Sequence, residues 1–151
     1  MSDRRQARIL ALQALSQLEV LGLPFMDDLD GFLRDESPPE YVVSYARALV
    51  KDVQVNVDAI DAAIQNCSPQ WELTRMASVD RNLLRSAVGE LLHRTDVPPK
   101  VVINESVEIA KLFGSAESPA FINGVLDAVY KNQASTTAPP EHIPPEPVPN
   151  P

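Results

Sequence analysis

The chain has 151 residues, with 13 Lys and Arg against 21 Asp and Glu, and its formal net charge is −8 at pH 7. This length suits one domain with a buried core, while five glycines and 5% aromatic residues disfavour turn-rich β-sandwiches and barrels. Apolar runs in the sequence fall far short of the roughly 18–20 residues that span a bilayer, and no signal-peptide pattern follows the first residues. The single cysteine excludes an intrachain disulfide. We therefore expect a cytoplasmic protein without a membrane segment.

The first predicted helix covers residues 3–21, and its two sides differ in chemistry. At 100° per residue, one arc carries Ala7, Leu10, Ala11, Ala14, Leu18 and Leu21, and another carries Arg4, Arg5, Arg8 and Glu19. Pro24 ends this helix because proline cannot continue it, and a shorter helix is predicted over residues 25–34. The pattern predicts that the three arginines share one polar side of the first helix.

The middle of the chain continues in helical spacing. Apolar residues recur at three- and four-residue steps from residue 40 to residue 64, which favours helix over strand despite many β-branched side chains. A short segment follows from Ser68, in which Trp71 and Leu73 are expected to fill the gap between subdomains. Ser78 is the predicted N-cap of the next helix, which ends near Arg94.

Two further helices are predicted before the end of the domain. One begins at Pro98 and Pro99, buries residues such as Val102 and Leu112, and stops at Gly114. In the other, Ser118 is the expected N-cap and residue 119 is a first-turn proline. The sequence therefore predicts an all-α fold of about seven helices, arranged as two small helical bundles packed together.

The composition changes after Gln133. Residues 139–151 alternate proline with polar and acidic residues, and proline lacks an amide donor and has a fixed φ. We expect residues 1–133 to form one helical domain and residues 134–151 to form a disordered, proline-rich tail.

Residues suited to catalysis are sparse. The two histidines, His93 and His142, have no carboxylate or cysteine at a metal-ligand spacing, and neither a nucleophile elbow nor a phosphate-binding glycine loop occurs. Cys67 has no basic neighbour in sequence to lower its pKa. The sequence predicts a binding protein with no catalytic residues, no metal and no cofactor.

The arginines of the first helix are the clearest candidate site. Arg4 and Arg8 stand four residues apart with Arg5 beside them, and guanidinium groups bind phosphate oxygens through several N–H donors. From charge alone, either nucleic-acid binding or a solvated helix side explains them. Polar residues also interrupt the later apolar helices at Asn104, Glu105, Glu108 and Asn123. Each of them is expected either to cap a neighbouring helix or to face a ligand. Gly124, in the middle of the last helix, is expected to allow close approach of another backbone.

Several blocks of sequence resemble the NusB family of transcription antitermination factors. The likeness covers roughly residues 3–131, and the blocks are residues 4–8 (RRQAR), 79–85 (VDRNLLR), 97–105 (VPPKVVINE), 108–114 (EIAKLFG) and 121–127 (FINGVLD). The resemblance implies a NusB-like fold of two perpendicular helical bundles. It also implies binding of boxA-containing RNA together with the small-subunit ribosomal protein NusE, within a transcription elongation complex that transcribes ribosomal RNA operons.

The resemblance also implies roles for individual positions. Arg4, Arg5 and Arg8 would contact RNA, and Glu117 and Phe121 would border the same surface. Asp80 would face NusE.

Two positions depart from the family pattern. Ser16 stands where an aromatic residue is common near the partner interface, and Gly89 replaces an aromatic residue before residues 90–91. Both departures put the partner contact in question more than the fold.

Two other functions compete with the leading one. The chain could be a NusB-like protein adaptor or homodimer with little RNA affinity, in which case the first-helix arginines would be dispensable for RNA. It could also be a piece of an RNA cytosine methyltransferase, but a catalytic cysteine motif and a cofactor loop are missing from the sequence.

Overall fold

The computed structural model describes the backbone of residues 2–142 and the side chains of residues 2–133. Its α-helices are α1 (Asp3–Leu21), α2 (Leu29–Arg34), α3 (Glu40–Cys67), α4 (Ser78–His93), α5 (Pro99–Phe113) and α6 (Ser118–His142), with short 3₁₀ turns at Leu23–Asp27 and Leu73–Arg75. The all-α prediction is confirmed. About seven helices were expected and six α-helices form in the described part, because the segment after Ser68 makes only a three-residue 3₁₀ turn.

Helix α4 lies at the centre of the packing. It contacts α1, α3, α5 and α6, while α3 also packs on α1 and α2, and α5 packs on α6. Its buried residues run through nearly three turns and include Leu84, Val88 and Leu91. This arrangement brings Arg8 of α1 and Tyr45 of α3 to Glu90, near the C-terminal end of α4.

Helix α1 begins and ends where the sequence predicts. The Ser2 hydroxyl accepts a hydrogen bond from the Arg5 amide, which caps the first turn. Gly22 ends the helix with φ 78, a left-handed conformation that favours glycine. Leu21, the last residue of the apolar arc, is 56% exposed.

Other details of the prediction differ from the structure. Ser78 and Ser118 were expected as N-caps, yet both lie in the first helical turn, and Ala77 is the N-cap of α4. The Ser118 hydroxyl instead accepts a hydrogen bond from the Ser115 amide and orders the loop before α6. Leu112, predicted to be buried, is 58% exposed near the end of α5.

Helix α6 continues past the predicted domain boundary. Its backbone is helical through His142, so it runs beyond Gln133 into the segment assigned to the tail. Residues 134–138 retain their amide donors and can continue the helical hydrogen bonds, whereas Pro139 and Pro140 cannot donate. The rest of the predicted tail, residues 143–151, lies outside the described residues. In the part of the chain that is described, no helix is long and apolar enough to cross a membrane.

Candidate RNA and partner interface

Arg8 is buried against Glu90 in the centre of the domain. The Arg8 Nε and Nη2 atoms donate to Glu90 Oε1 and Oε2 at 2.7 and 2.9 Å. The Arg8 side chain is 4% exposed and the Glu90 side chain is 1% exposed. Of the two explanations offered for these arginines, a solvated helix side is wrong for Arg8, because its side chain is buried against a carboxylate of α4.

Arg5 is paired with a carboxylate from α5. Its Nε and Nη2 donate to the two carboxylate oxygens of Glu105 at 2.7 and 2.9 Å, and the two side chains are 30% and 24% exposed. The Arg5 hydrogen bonds lower the pKa of Glu105. This contact uses two of the five guanidinium N–H groups, so Arg5 retains donors and access to solvent.

Arg4 lies on an aromatic pair at the start of α3. Its guanidinium carbon is 4.2 Å from the centroid of the Tyr45 ring, which is a cation–π distance. Its Nε donates to the Tyr41 hydroxyl, and the two tyrosine rings stack with centroids 6.3 Å apart. The tyrosines hold the Arg4 guanidinium at the protein surface.

Tyr45 links this surface to the buried pair. Its hydroxyl donates to Glu90 Oε2 at 2.8 Å, so Glu90 accepts hydrogen bonds from both Arg8 and Tyr45. Burial, and then the Glu90 charge, raise the pKa of Tyr45 to about 12. One connected network thus runs from Arg4 through Tyr45 and Glu90 to Arg8.

A second set of predicted residues lines a cleft of about 270 Å³ between the starts of α4 and α6. Asp80, Glu117 and Phe121 all border it, together with Trp71. The Trp71 and Phe121 rings meet edge to face with centroids 6.0 Å apart. The Asp80 Oδ1 atom is buried and has no hydrogen-bond partner among the described residues. The structure therefore joins a predicted partner residue and two predicted RNA residues in one cleft.

Ser16 lies apart from the residues named as lining that cleft. Its side chain is half-buried, and its hydroxyl donates to the Leu12 carbonyl one turn back in α1.

An ion pair joins the end of α1 to α4, in which Glu19 accepts a hydrogen bond from Arg81 Nε at 2.6 Å. The Arg81 hydrogen bond lowers the pKa of Glu19.

Sequence reasoning missed several of these residues. Glu90 and Tyr45 were not recognised as partners of the arginines, since their contacts join distant parts of the chain. Trp71 was expected to fill a gap between subdomains, yet it is 55% exposed. The expected close approach at Gly124 is also wrong in the described structure, where a Cβ at that position meets nothing within 4 Å.

The interrupting polar residues have mixed environments. Glu105 accepts two hydrogen bonds from Arg5, and Glu108 accepts a hydrogen bond from Lys111 at 2.9 Å. Asn104 and Asn123 are exposed. Their exposure satisfies both amides with solvent and leaves them available on the surfaces of α5 and α6.

Known proteins similar to this chain match most of its helical part. The profile of the NusB family matches residues 5–131. The transcription antitermination protein NusB of Anaeromyxobacter dehalogenans is 51% identical over 129 residues, covering 85% of this chain and 90% of the relative. The corresponding protein of Desulfatibacillum aliphaticivorans is 45% identical over 130 residues, covering 86% and 91%.

Solved structures agree with the sequence comparisons. NusB from T. maritima superimposes with a TM-score of 0.75 at 35% identity, over 87% of this chain and 92% of that one. A chain in a crystal structure of antitermination factors NusB and NusE in complex with dsRNA gives 0.77 at 26% identity, over 87% and 98%. The expected resemblance is confirmed, and this chain belongs to the NusB family of transcription antitermination proteins.

Proposed function

We propose that this protein is a non-enzymatic, cytoplasmic subunit of a transcription elongation complex, in which it binds boxA-containing RNA jointly with NusE and supports transcription of ribosomal RNA operons. The observation that carries the proposal is the likeness to the chain in the NusB–NusE–dsRNA structure, which extends over 98% of that chain. The agreement over nearly the whole length supports a similar mode of assembly here.

Arg4 and Arg5 are the proposed phosphate contacts. Each is half-buried at the first turns of α1, and each keeps guanidinium N–H donors beyond those bonded within the protein. Tyr41 and Glu105 hold these guanidinium groups in place, which reduces the conformational entropy lost when a phosphate binds.

Arg8 has a different proposed part in RNA binding. Both its exposure of 4% and its paired contact with Glu90 argue against direct phosphate contact in this conformation. We assign it a positioning role, in which Glu90 also orients Tyr45 beneath Arg4.

The cleft between α4 and α6 is the proposed meeting point of RNA and partner. Phe121 is half-buried and offers a ring for stacking on an unpaired base, and Glu117 is exposed at the rim. The unpaired Asp80 Oδ1 suits a donor group from NusE. Ser16 does not line this cleft; its proposed partner contact is a separate one on α1, where serine offers less apolar area than an aromatic ring would.

The isolated protein is expected to bind RNA weakly. Its net charge is −8, and three first-helix arginines already face Glu105, Glu90 or tyrosine oxygens. A partner that adds positive charge near the RNA would raise the local potential within a Debye length of about 8 Å at physiological salt. The proposal therefore requires that NusE strengthens RNA binding.

Paired substitutions test the assigned phosphate contacts. Arg4→Ala with Arg5→Ala should weaken binding of boxA RNA to the protein–NusE complex by about tenfold or more and make log Kd less dependent on log salt. NusE binding measured without RNA should not change. Lys51→Ala with Lys131→Ala, which removes the same charge from exposed lysines elsewhere, is the matched control. Equal RNA affinity in the arginine variant and the control would refute the assignment.

A protein adaptor or homodimer with little RNA affinity is the second candidate. The observation that favours it is the pairing of the first-helix arginines within the protein. In that case the arginine variant would keep NusE binding, and the wild-type complex would not distinguish boxA RNA from a scrambled sequence.

A further inference from the structure

An open apolar groove runs along α1 on the side that faces α2. Its volume is about 810 Å³, and its apolar lining comes from Leu10, Leu21, Phe25 and Phe32. Leu21 remains 56% exposed, so the groove is not closed by the described chain. Burial of such a surface by a ligand is favourable at roughly 25 cal/mol per Å² of apolar area.

Carboxylates surround this groove. The lining contains Asp27, Asp28, Asp35 and Glu36 and no lysine or arginine. None of the four forms an ion pair with another described residue, in contrast to Asp30 nearby, which pairs with Arg34. The groove therefore combines an apolar floor with a negative rim.

We propose that this groove is a docking site for a basic amphipathic helix of another protein. Leu10 and Leu21 are eleven residues apart on α1, which is about 16 Å at 1.5 Å per residue. That length matches about three turns of a bound helix, whose apolar residues at i, i+3, i+4 and i+7 would enter the groove. Lysine or arginine on the flanks of that helix would face the four carboxylates.

The charge of the rim disfavours three other occupants of the groove: RNA, the C-terminal residues of this chain and a second copy of it. RNA would bring phosphates beside four carboxylates. The residues of this chain after Lys131 include Glu141 and Glu146 and no lysine or arginine, so they do not complement the rim. A symmetric contact between two copies would bring two such acidic rims together.

A peptide titration of the 151-residue chain tests the site. The probe is a 14-residue leucine–lysine peptide with leucine at i, i+3, i+4 and i+7, and its control is the same composition in an order without an apolar face. In amide and methyl NMR spectra, we expect the probe to shift signals of Leu10, Leu21 and Phe32. The scrambled peptide should bind at least about tenfold more weakly, because it lacks a continuous apolar stripe.

Substitutions separate the groove from general surface charge. Asp35→Asn with Glu36→Gln should weaken probe binding by about tenfold, and so should Leu21→Ser. Asp58→Asn with Asp96→Asn makes the same charge change at exposed residues that do not line the groove and should leave binding unchanged. Thermal unfolding of each variant checks that it folds.

Three results would overturn the proposal. They are shifts centred on Trp71 and its cleft instead of the groove, equal weakening by the two charge variants, and equal binding of both peptides. Sedimentation of the free protein as a dimer that Leu21→Ser dissociates would assign the groove to a second copy instead. Binding of RNA and NusE is not needed for any of these measurements.

Discussion

Replacement of Arg8 with methionine would leave the Glu90 carboxylate in the core with one remaining side-chain donor, the Tyr45 hydroxyl. Removing one partner of a buried ion pair costs about 3–5 kcal/mol, because the other charge stays desolvated. Glu90 is 1% exposed, so solvent cannot replace the two lost hydrogen bonds. The loss would be a large part of the roughly 5–15 kcal/mol that stabilises a domain.

Urea unfolding followed by circular dichroism measures this loss. With a slope of about 2 kcal/mol per molar urea, the midpoint should fall by about 2 M. Glu90→Met should destabilise similarly, whereas Arg8→Met with Glu90→Met should lie within about 1 kcal/mol of wild type, since similar apolar volume replaces both charges. Single variants within about 1 kcal/mol of wild type, or strictly additive effects, would refute the assignment of Arg8 as a core residue.

Three further predictions concern glycines and pH. Gly124→Ala should stabilise the domain by up to about 1 kcal/mol, because a Cβ at residue 124 meets open space. Gly114→Ala should lower the melting temperature, because its Cβ would lie 2.5 Å from Ser118 Oγ. A higher melting temperature for Gly114→Ala than for Gly124→Ala would contradict the packing at these two positions. Glu105 has a folded-state pKa below its ordinary value of 4.5, so the stability that its ion pair with Arg5 contributes is present above that pH and is lost as the pH falls. Arg5→Gln should therefore flatten the fall in unfolding free energy between about pH 6 and about pH 3. An unchanged dependence of unfolding free energy on pH would count against the Arg5–Glu105 pair. The folded-state pKa of Tyr45 is raised from 10.0 to about 12, so the stability contributed by its protonated hydroxyl is full below pH 10 and is lost as the pH rises through 12. The ultraviolet phenolate signal that Tyr45→Phe removes should therefore titrate near pH 12. Titration of that signal near the ordinary tyrosine pKa would disprove the buried contact with Glu90.

Local sequence carries enough information for most helix positions. Helix α1 covers residues 3–21 as predicted, because apolar spacing defines its buried side and Gly22 with Pro24 ends it. The same reasoning placed the start of α5 at Pro98 and Pro99, which are its N-cap and first residue. Periodicity does not predict the exposure of Leu21 and Leu112, which lie on apolar arcs but in the last turns of α1 and α5.

The candidate site could be predicted only in part. The resemblance selected Arg4, Arg5, Asp80 and Phe121, and the structure shows which of them share a surface. The burial of Arg8 could not be read from helix periodicity, since its partner Glu90 lies 82 residues away in sequence. Periodicity places a residue on a side of a helix, but the carboxylate that faces it comes from the tertiary fold.

A titration of RNA into the 151-residue chain tests the central claim most directly. BoxA RNA and a scrambled RNA of equal length should be compared with and without NusE, at a low and a physiological salt concentration. We predict weak binding by the protein alone, tighter binding of boxA than of scrambled RNA once NusE is present, and a loss of affinity at higher salt. Equal, weak binding of both RNAs under all four conditions would contradict the account.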